Sequence, residues 1–363
     1  MKAESELGAT IARVLSVVML VAVLVSLGTL GWLFVIYPDS SGPMGRDDEV
    51  ILEVSEGMTL KQLASELERE GVIEDPRVWS LYMRLRGLDR HLRQGKVRFT
   101  ARMTPEEVAR HATTSLGRIR IRILIPEGFT RFEIAARLEE YGVCGAHDFL
   151  RATEDASLLA SYGVEANDAE GYLFPDTYEF DDQTKPRRVV ERMLANWTQK
   201  YEEIAEVHAE QLARLKGWTT HDIMTLASIV EKEAAVPAER ARIAGVFWNR
   251  LRSKRFLPRR RLQADPTVQY GCIAVPEAAL SCAAYDGQIT RAMLDDPDNP
   301  YNTYRHSGLP PGPISNPGRA AIVAVIDPEE HDYYYFVARG SGQHHFSETL
   351  RQHNVAVRRN GQQ

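Results

Sequence analysis

The sequence predicts an α+β protein carried on a single N-terminal transmembrane helix. Three observations predict it. Residues 14–38, VLSVVMLVAVLVSLGTLGWLFVIYP, hold no charged side chain and exceed the ~20 apolar residues that cross a bilayer. A strand–turn–helix pattern then occurs twice. Beyond it, helical periodicity dominates until a short hairpin near the C-terminus. The 363 residues suffice for roughly two or three domains.

No small-residue cleavage site with a polar flank follows the apolar run, and Trp32 and Tyr37 suit its interfacial edge, so it reads as an uncleaved anchor. Lys2 and Arg13 precede it, and Asp39, Asp47, Asp48 and Glu49 follow with Arg46. That bias puts the arm of residues 1–13 inside and the rest of the chain outside the cytoplasmic membrane. Residues 39–48 read as a Pro/Gly/Ser-rich linker.

Two domains are expected after it, residues 49–116 and 117–363. EGMTLKQLASELEREGVI (56–73) aligns without gaps to EGFTRFEIAARLEEYGVC (127–144), so the repeat at 119–144 opens the larger domain. A strand precedes each copy, at 49–54 and 119–125. Thr59 and Thr130 can cap the helices, and Gly71 and Gly142 can end them. A helix at 76–85, a strand at 96–100 and a helix at 104–113 complete the smaller domain.

In the larger domain GYLFPDTYEF (171–180) reads as a loop or edge strand, and 187–212 as one long amphipathic helix. TTHDIMTLASIVEKEAA (219–235) is a helix capped by Thr219 and Asp222 and stopped by Pro237. Another helix runs over 237–252 with Pro in its first turn. A helix at 318–326, strands at 333–338 and 344–346 joined by a turn at 339–343, and a last helix from Ser347, with Glu348 and Thr349 in its first turn, close the chain.

The net charge of −6 argues against a general nucleic-acid binder. KRFLPRRR (254–261) reads as a solvated loop, or as a contact to an anionic partner or lipid head groups. Cys272 and Cys282 can pair outside the cytoplasm, leaving Cys144 as an unpaired, buried thiol. His331, His344, His345 and His353 read as solvated residues around the hairpin. No metal-ligand spacing, P-loop, GxGxxG or nucleophile elbow is present, so neither metal nor cofactor is expected.

On the 219–235 helix, Ile223, Ala227, Val230 and Ala234 form an apolar arc opposite Thr225, Ser228 and Lys232. Glu231 and Glu233 sit on its two margins, about 200° apart, and cannot act as a close pair. Glu231 has small neighbours, which leaves room for a ligand; Glu233 lies near Leu226 and Ile229, which suits packing or a salt bridge. A carboxyl beside apolar surface can donate a proton near neutral pH. Both residues read equally well as surface glutamates of an amphipathic helix. LQADPTVQY (262–270), YNTY (301–304), GLPPGP (308–313) and SNP (315–317) carry amides, carboxylates and rings suited to sugars, and equally suited to turns.

LASIVEKEA, FWNRL, LQADPTVQYG, YNTY, GLPPGPISNPG and YYYFVARGSGQHHFSETLRQHN, with IPEG and GYLFPDTY upstream, stand in this order. Together they resemble the MltG/YceG-like family of membrane-anchored endolytic murein transglycosylases, over about residues 49–357. The resemblance implies a LysM-like glycan-binding module at 49–116 and a mixed α+β catalytic domain after it. It implies cleavage of the MurNAc-β-1,4-GlcNAc bond of nascent peptidoglycan strands, leaving 1,6-anhydro ends and setting strand length near penicillin-binding-protein synthases. It assigns the catalytic carboxyl to Glu231. Gln263, Asp265, Asn302 and Tyr304 are the candidates for positioning sugars, Asp265 also being readable as a helix cap. Two alternatives stay open: a hydrolytic muramidase using a second carboxylate such as Asp265, and a non-catalytic glycan-binding scaffold of the elongation machinery.

Overall fold

The computed structural model describes residues 2–40, 49–55, 57–100, 102–114, 120–182, 184–339 and 342–360. The chain divides into two units, Met1–Arg120 and Ile121–Gln363. In the first, helix α1 (Lys2–Gly31) continues through a π turn at Trp32–Ile36 into a 3-10 turn at Tyr37–Asp39. The stretch Val14–Asp39, with mean hydropathy 2.5, is long and apolar enough to cross a membrane. The expected linker does not begin directly after it. Leu33 and Pro38 are buried, Leu33 in one core with Trp79 and Tyr82, and the Tyr37 ring meets Tyr82 edge-on at 5.8 Å. Residues 41–48 of that linker lie outside the described residues.

Strand β1 (Glu49–Val54), helices α2 (Leu60–Arg69) and α3 (Pro76–Leu85), strand β2 (Gly95–Thr100) and helix α4 (Pro105–Thr113) follow. β1 and β2 pair antiparallel, Glu49 opposite Thr100 and Val54 opposite Gly95. Alternation sends Leu52, Val54, Val97 and Phe99 inward against Leu63 and Leu67 of α2 and Trp79 of α3.

The second unit opens with the repeat's other copy. Strand β3 (Arg120–Leu124) leads into α5 (Arg131–Glu140), followed by α6 (Ala146–Thr153), α7 (Ala156–Ser161) and β4 (Thr177–Asp181), which pairs with β3. The two copies match in detail. Thr59 with Gln62 and Thr130 with Glu133 form the same capping box. Gly71 and Gly142 close the two helices at φ +71° and +72°, a conformation costly for other residues.

The single long helix expected over 187–212 is two, α8 (Pro186–Val207) and α9 (Ala209–Arg214), because the backbone at His208 leaves the helical region. α10 (Thr220–Glu233) has the expected box, Asp222 Oδ2 accepting from the Thr219 N–H at 2.8 Å. It ends well before Pro237, with Ala234 as its C-cap. A 3-10 turn at Pro237–Glu239 then precedes α11 (Arg240–Arg252). α12 (Asp265–Ala274), α13 (Arg291–Asp295), α14 (Arg319–Ile326), strands β5 (Tyr335–Ala338) and β6 (His344–Ser347), and α15 (Leu350–Asn360) complete the unit.

α10 is not amphipathic in place. It packs on α11, α12 and α14, and every residue from Ile223 to Val230 is buried. Thr225 and Ser228, expected on a polar face, are buried too. The Thr225 hydroxyl donates to His221 O at 2.7 Å, and Ser228 Oγ accepts the Ile314 N–H at 2.9 Å. Only the two ends of the helix, Thr220–Asp222 and Glu231–Glu233, reach a surface.

Other expectations are corrected by packing. In the basic 254–261 stretch Phe256 is buried and stacked on Tyr334, and Arg261 donates to Tyr304 O at 2.7 Å, so it is not simply a solvated loop. His344 bonds Glu239 at 2.8 Å and His331 bonds Arg242 O at 2.9 Å, so these two are structural rather than solvated. α15 starts at Leu350 because Ser347 still belongs to β6 and Thr349 caps the helix. Residues 340–341 of the hairpin turn lie outside the described residues. Cys272 and Cys282 are bonded, and Cys144 is unpaired and half-buried.

Candidate active site

α10 delivers both of its last carboxylates to one end of the helix, in unlike surroundings. Glu231 is enclosed, its side chain 5% exposed. Its Oε1 accepts from Arg240 Nη2 at 2.8 Å and its Oε2 from the Gly318 N–H at 3.0 Å. Arg240 also reaches Glu127 Oε2 at 3.4 Å, and Glu127 lies against Gly318 so closely that a Cβ there would collide with it. The space that small neighbours were expected to leave for a ligand is therefore occupied. A guanidinium and a backbone N–H both hold Glu231, and through them it joins α10 to α11, the IPEG turn and the start of α14.

Glu233 is half-buried, and among the described residues its carboxyl has no hydrogen-bond partner. Burial and the nearby negative charge of Asp265 push it up to about 7, against the opposing pull of Arg250. Arg250 is 6% exposed and held in an aromatic box of Phe247, Phe256, Tyr335 and Phe336. Its Nε donates to Tyr334 O at 2.8 Å and its Nη1 to Leu262 O.

Across from Glu233, Tyr304 donates its hydroxyl to Asp265 Oδ1 at 2.5 Å. Asp265 is exposed at the first residue of α12 and does not cap it; the cap position is Ala264, which has no side-chain bond. Gln263 sits just before, at φ +53°, a strained conformation for a residue with a side chain. Its N–H bonds Thr303 O at 3.3 Å, and its side-chain amide is uncommitted among the described residues. Asp265 and Tyr304 thus touch each other and lie within charge reach of Glu233, with Gln263 two residues before Asp265 in the chain.

Asn302 does not join them. It is 0% exposed, and its amide donates to the carbonyls of Met293, Leu294 and Asp296 at 3.1, 3.1 and 2.7 Å. Its amide is spent on the loop that carries Tyr304 and is not exposed, unlike the surface position expected of a sugar-positioning residue. Asn302→Ala is expected to cost about 2 kcal/mol through stranded carbonyls. Thermal unfolding would show it as a lower Tm, whereas a raised KM at unchanged Tm would restore a substrate role.

Asn316 of the SNP stretch is likewise committed, accepting the Leu173 N–H at 2.8 Å and donating to Glu170 at 2.7 Å. Glu170, pushed up to about 8 by burial, also accepts from Arg131 N and Tyr270 OH. This cluster joins the GYLFPDTY loop to α5, α12 and the SNP turn. Sequence reasoning passed over Arg240, Arg250 and Glu170, because nothing in their local spacing separates them from surface charges.

A sequence model of the YceG-like family matches residues 52–359. The chain belongs to the YceG-like family. This YceG-like chain is 28% identical to a Bacillus subtilis protein named endolytic murein transglycosylase, over 86% of each. It is also 28% identical to a Streptococcus pneumoniae protein of the same name, covering 90% of this chain and 61% of that longer one. Its fold resembles the crystal structure of a YceG-like protein from Listeria monocytogenes, with TM-score 0.55 and 28% identity over 86% of this chain and 100% of that one.

Proposed function

We propose that this YceG-like chain is an endolytic murein transglycosylase, and that Glu233, rather than Glu231, is its acid and base. The observation that carries the assignment is the Glu233 carboxyl. It has no hydrogen-bond partner among the described residues, is pushed up to about 7 by burial and Asp265, and lies within charge reach of Asp265 and Tyr304. Protonated Glu233 gives its proton to the glycosidic oxygen as the bond from the muramyl C1 breaks. The muramyl 6-hydroxyl then closes on C1, and its proton returns to Glu233. A neighbouring hydroxyl already in the sugar needs no second carboxylate to activate it. Arg250 steadies the charge that Glu233 acquires midway.

Asp265 gives weight to a second reading, hydrolysis, because a carboxylate within charge reach of the acid can activate water. Mass spectrometry of uncrosslinked strands after cleavage separates the two. New 1,6-anhydro ends support transglycosylation; reducing ends overturn it.

The titration of Glu233 sets the pH profile. Its proton is held to about pH 7 and lost as pH rises through that value, so kcat is expected to fall above it. Asp265→Asn removes a charge that raises Glu233, so the falling limb should move to lower pH. A limb that stays in place would remove Glu233 from the role.

The smaller module, with its strand–helix–helix–strand order, is proposed as a LysM-like holder of glycan. The C-terminal unit is proposed to face outside the cytoplasm, an orientation supported by the Cys272–Cys282 bond, since such bonds persist in oxidising compartments. There it would meet nascent strands beside the penicillin-binding-protein synthases.

A further inference from the structure

A pocket of about 410 Å³ lies beside the site, between α5, α12 and the end of α10. Lys232 and Pro266 line it, and their chain neighbours Glu233 and Asp265 are the two facing carboxyls. The pocket and the proposed cleavage point therefore draw on adjacent residues of both elements. Its apolar wall is Phe132, Tyr270, Ile273 and Ile314, with the Phe132 and Tyr270 rings 6.4 Å apart.

Its charges are of both signs and are not spent on each other. Lys232 is exposed and makes no ion pair among the described residues; its Nζ reaches Gly128 O at 3.3 Å. Glu133 is exposed on the opposite wall, where its Oε2 accepts from the Thr130 N–H at 2.7 Å while Oε1 is uncommitted. Gln269 adds a side-chain amide with no partner among the described residues. An apolar wall with one free cation, one free carboxylate oxygen and one free amide is poorly matched to a neutral sugar. It is matched to a short zwitterionic peptide.

From this the geometry points to a peptide-stem subsite: the pocket takes the peptide on the lactyl group of the muramyl residue at the cleavage point. Lys232 pairs with a stem carboxylate, Glu133 with the ammonium of its diamino acid, and the apolar wall covers its methyl and methylene groups. The inference rests on the glycan-cleaving reading above and adds what that reading lacks, a reason to prefer strands that still carry stems.

The test is binding to the full chain in detergent, carrying Glu233→Gln so that no bond is cut. The probes are a GlcNAc–MurNAc disaccharide with its tripeptide and the same disaccharide with a free lactyl group, read by calorimetry. The peptide-bearing probe is expected to bind at least tenfold more tightly, about 1.4 kcal/mol, and Lys232→Glu should erase that ratio. Equal affinities, or a preference that survives Lys232→Glu, would overturn the subsite. The two-probe comparison uses an unaltered pocket, so it decides even if charge reversal unfolds the chain. Cleavage is read separately with Glu233 intact. A stem preference without cleavage keeps the pocket and sinks the catalytic reading; cleavage blind to the stem does the reverse.

Discussion

Glu233→Gln is expected to lower strand cleavage by about a thousandfold or more while leaving the fold intact. Positioned proton transfer contributes on the order of 10²–10⁴ to rate, and here one carboxyl supplies it in both directions. The amide has nearly the same shape. Among the described residues Glu233 has no hydrogen bond to lose, so Tm should stay within a degree or two or rise slightly. Removing a half-buried acid that burial and Asp265 already disfavour as an anion relieves strain in the neutral-pH protein. The measurement is initial rate on uncrosslinked strands beside a thermal melt. If the Glu233→Gln protein cuts strands at a tenth of the wild-type rate or better, the assignment fails.

Glu231→Gln should behave in the opposite way, with a large loss of stability and a small loss of rate. Its carboxylate and the Arg240 guanidinium are 5% and 13% exposed and 2.8 Å apart. Taking the charge from one leaves the other buried with only the 3.4 Å contact to Glu127. Breaking such a pair costs roughly 3 kcal/mol, a drop of several degrees in Tm. The turnover of the protein that remains folded should fall by no more than about tenfold, through small shifts at the end of α10. A double-mutant cycle sharpens the test. Arg240→Gln alone should cost about as much, and the double variant clearly less than the sum, with a coupling of roughly 1–3 kcal/mol. Additive costs would show that the pair is not a unit, and a Glu231→Gln protein that is stable but inactive would return the catalytic role to Glu231.

Much of the architecture was legible from residue pattern. The uncharged run at residues 14–38 marks a helix long and apolar enough to cross a membrane, and the structure has one at Val14–Asp39. The two capping boxes and the paired glycines at 71 and 142 are local devices, written in four or five adjacent residues, and both copies fold alike. The break at His208 was not legible, since 187–212 keeps helical composition throughout.

The site was legible as a set of motifs, while the partners of each side chain were not. LASIVEKEA, LQADPTVQY and YNTY do converge, and Asp265 and Tyr304 do touch. A helical wheel gives Glu231 the roomier margin because it knows only neighbours on its own helix. It cannot know that Arg240 and the Gly318 N–H come from α11 and α14 to fill that margin. Nor can it know that Asp265 of α12 comes within charge reach of Glu233. Asn302 and Tyr304 are two residues apart with similar polar equipment, yet one is spent on three carbonyls beneath the loop and the other looks outward.

The sequence by itself determined most of the helices and strands, which run is long and apolar enough to cross a membrane, and which family the motifs resemble, because those follow from periodicity, capping and composition over short spans. The tertiary structure alone decided which of two glutamates is held by a guanidinium and a backbone N–H and which has no hydrogen-bond partner among the described residues. Burial and charge at a carboxyl are set by groups from other elements, brought within a few ångströms only when the chain has packed.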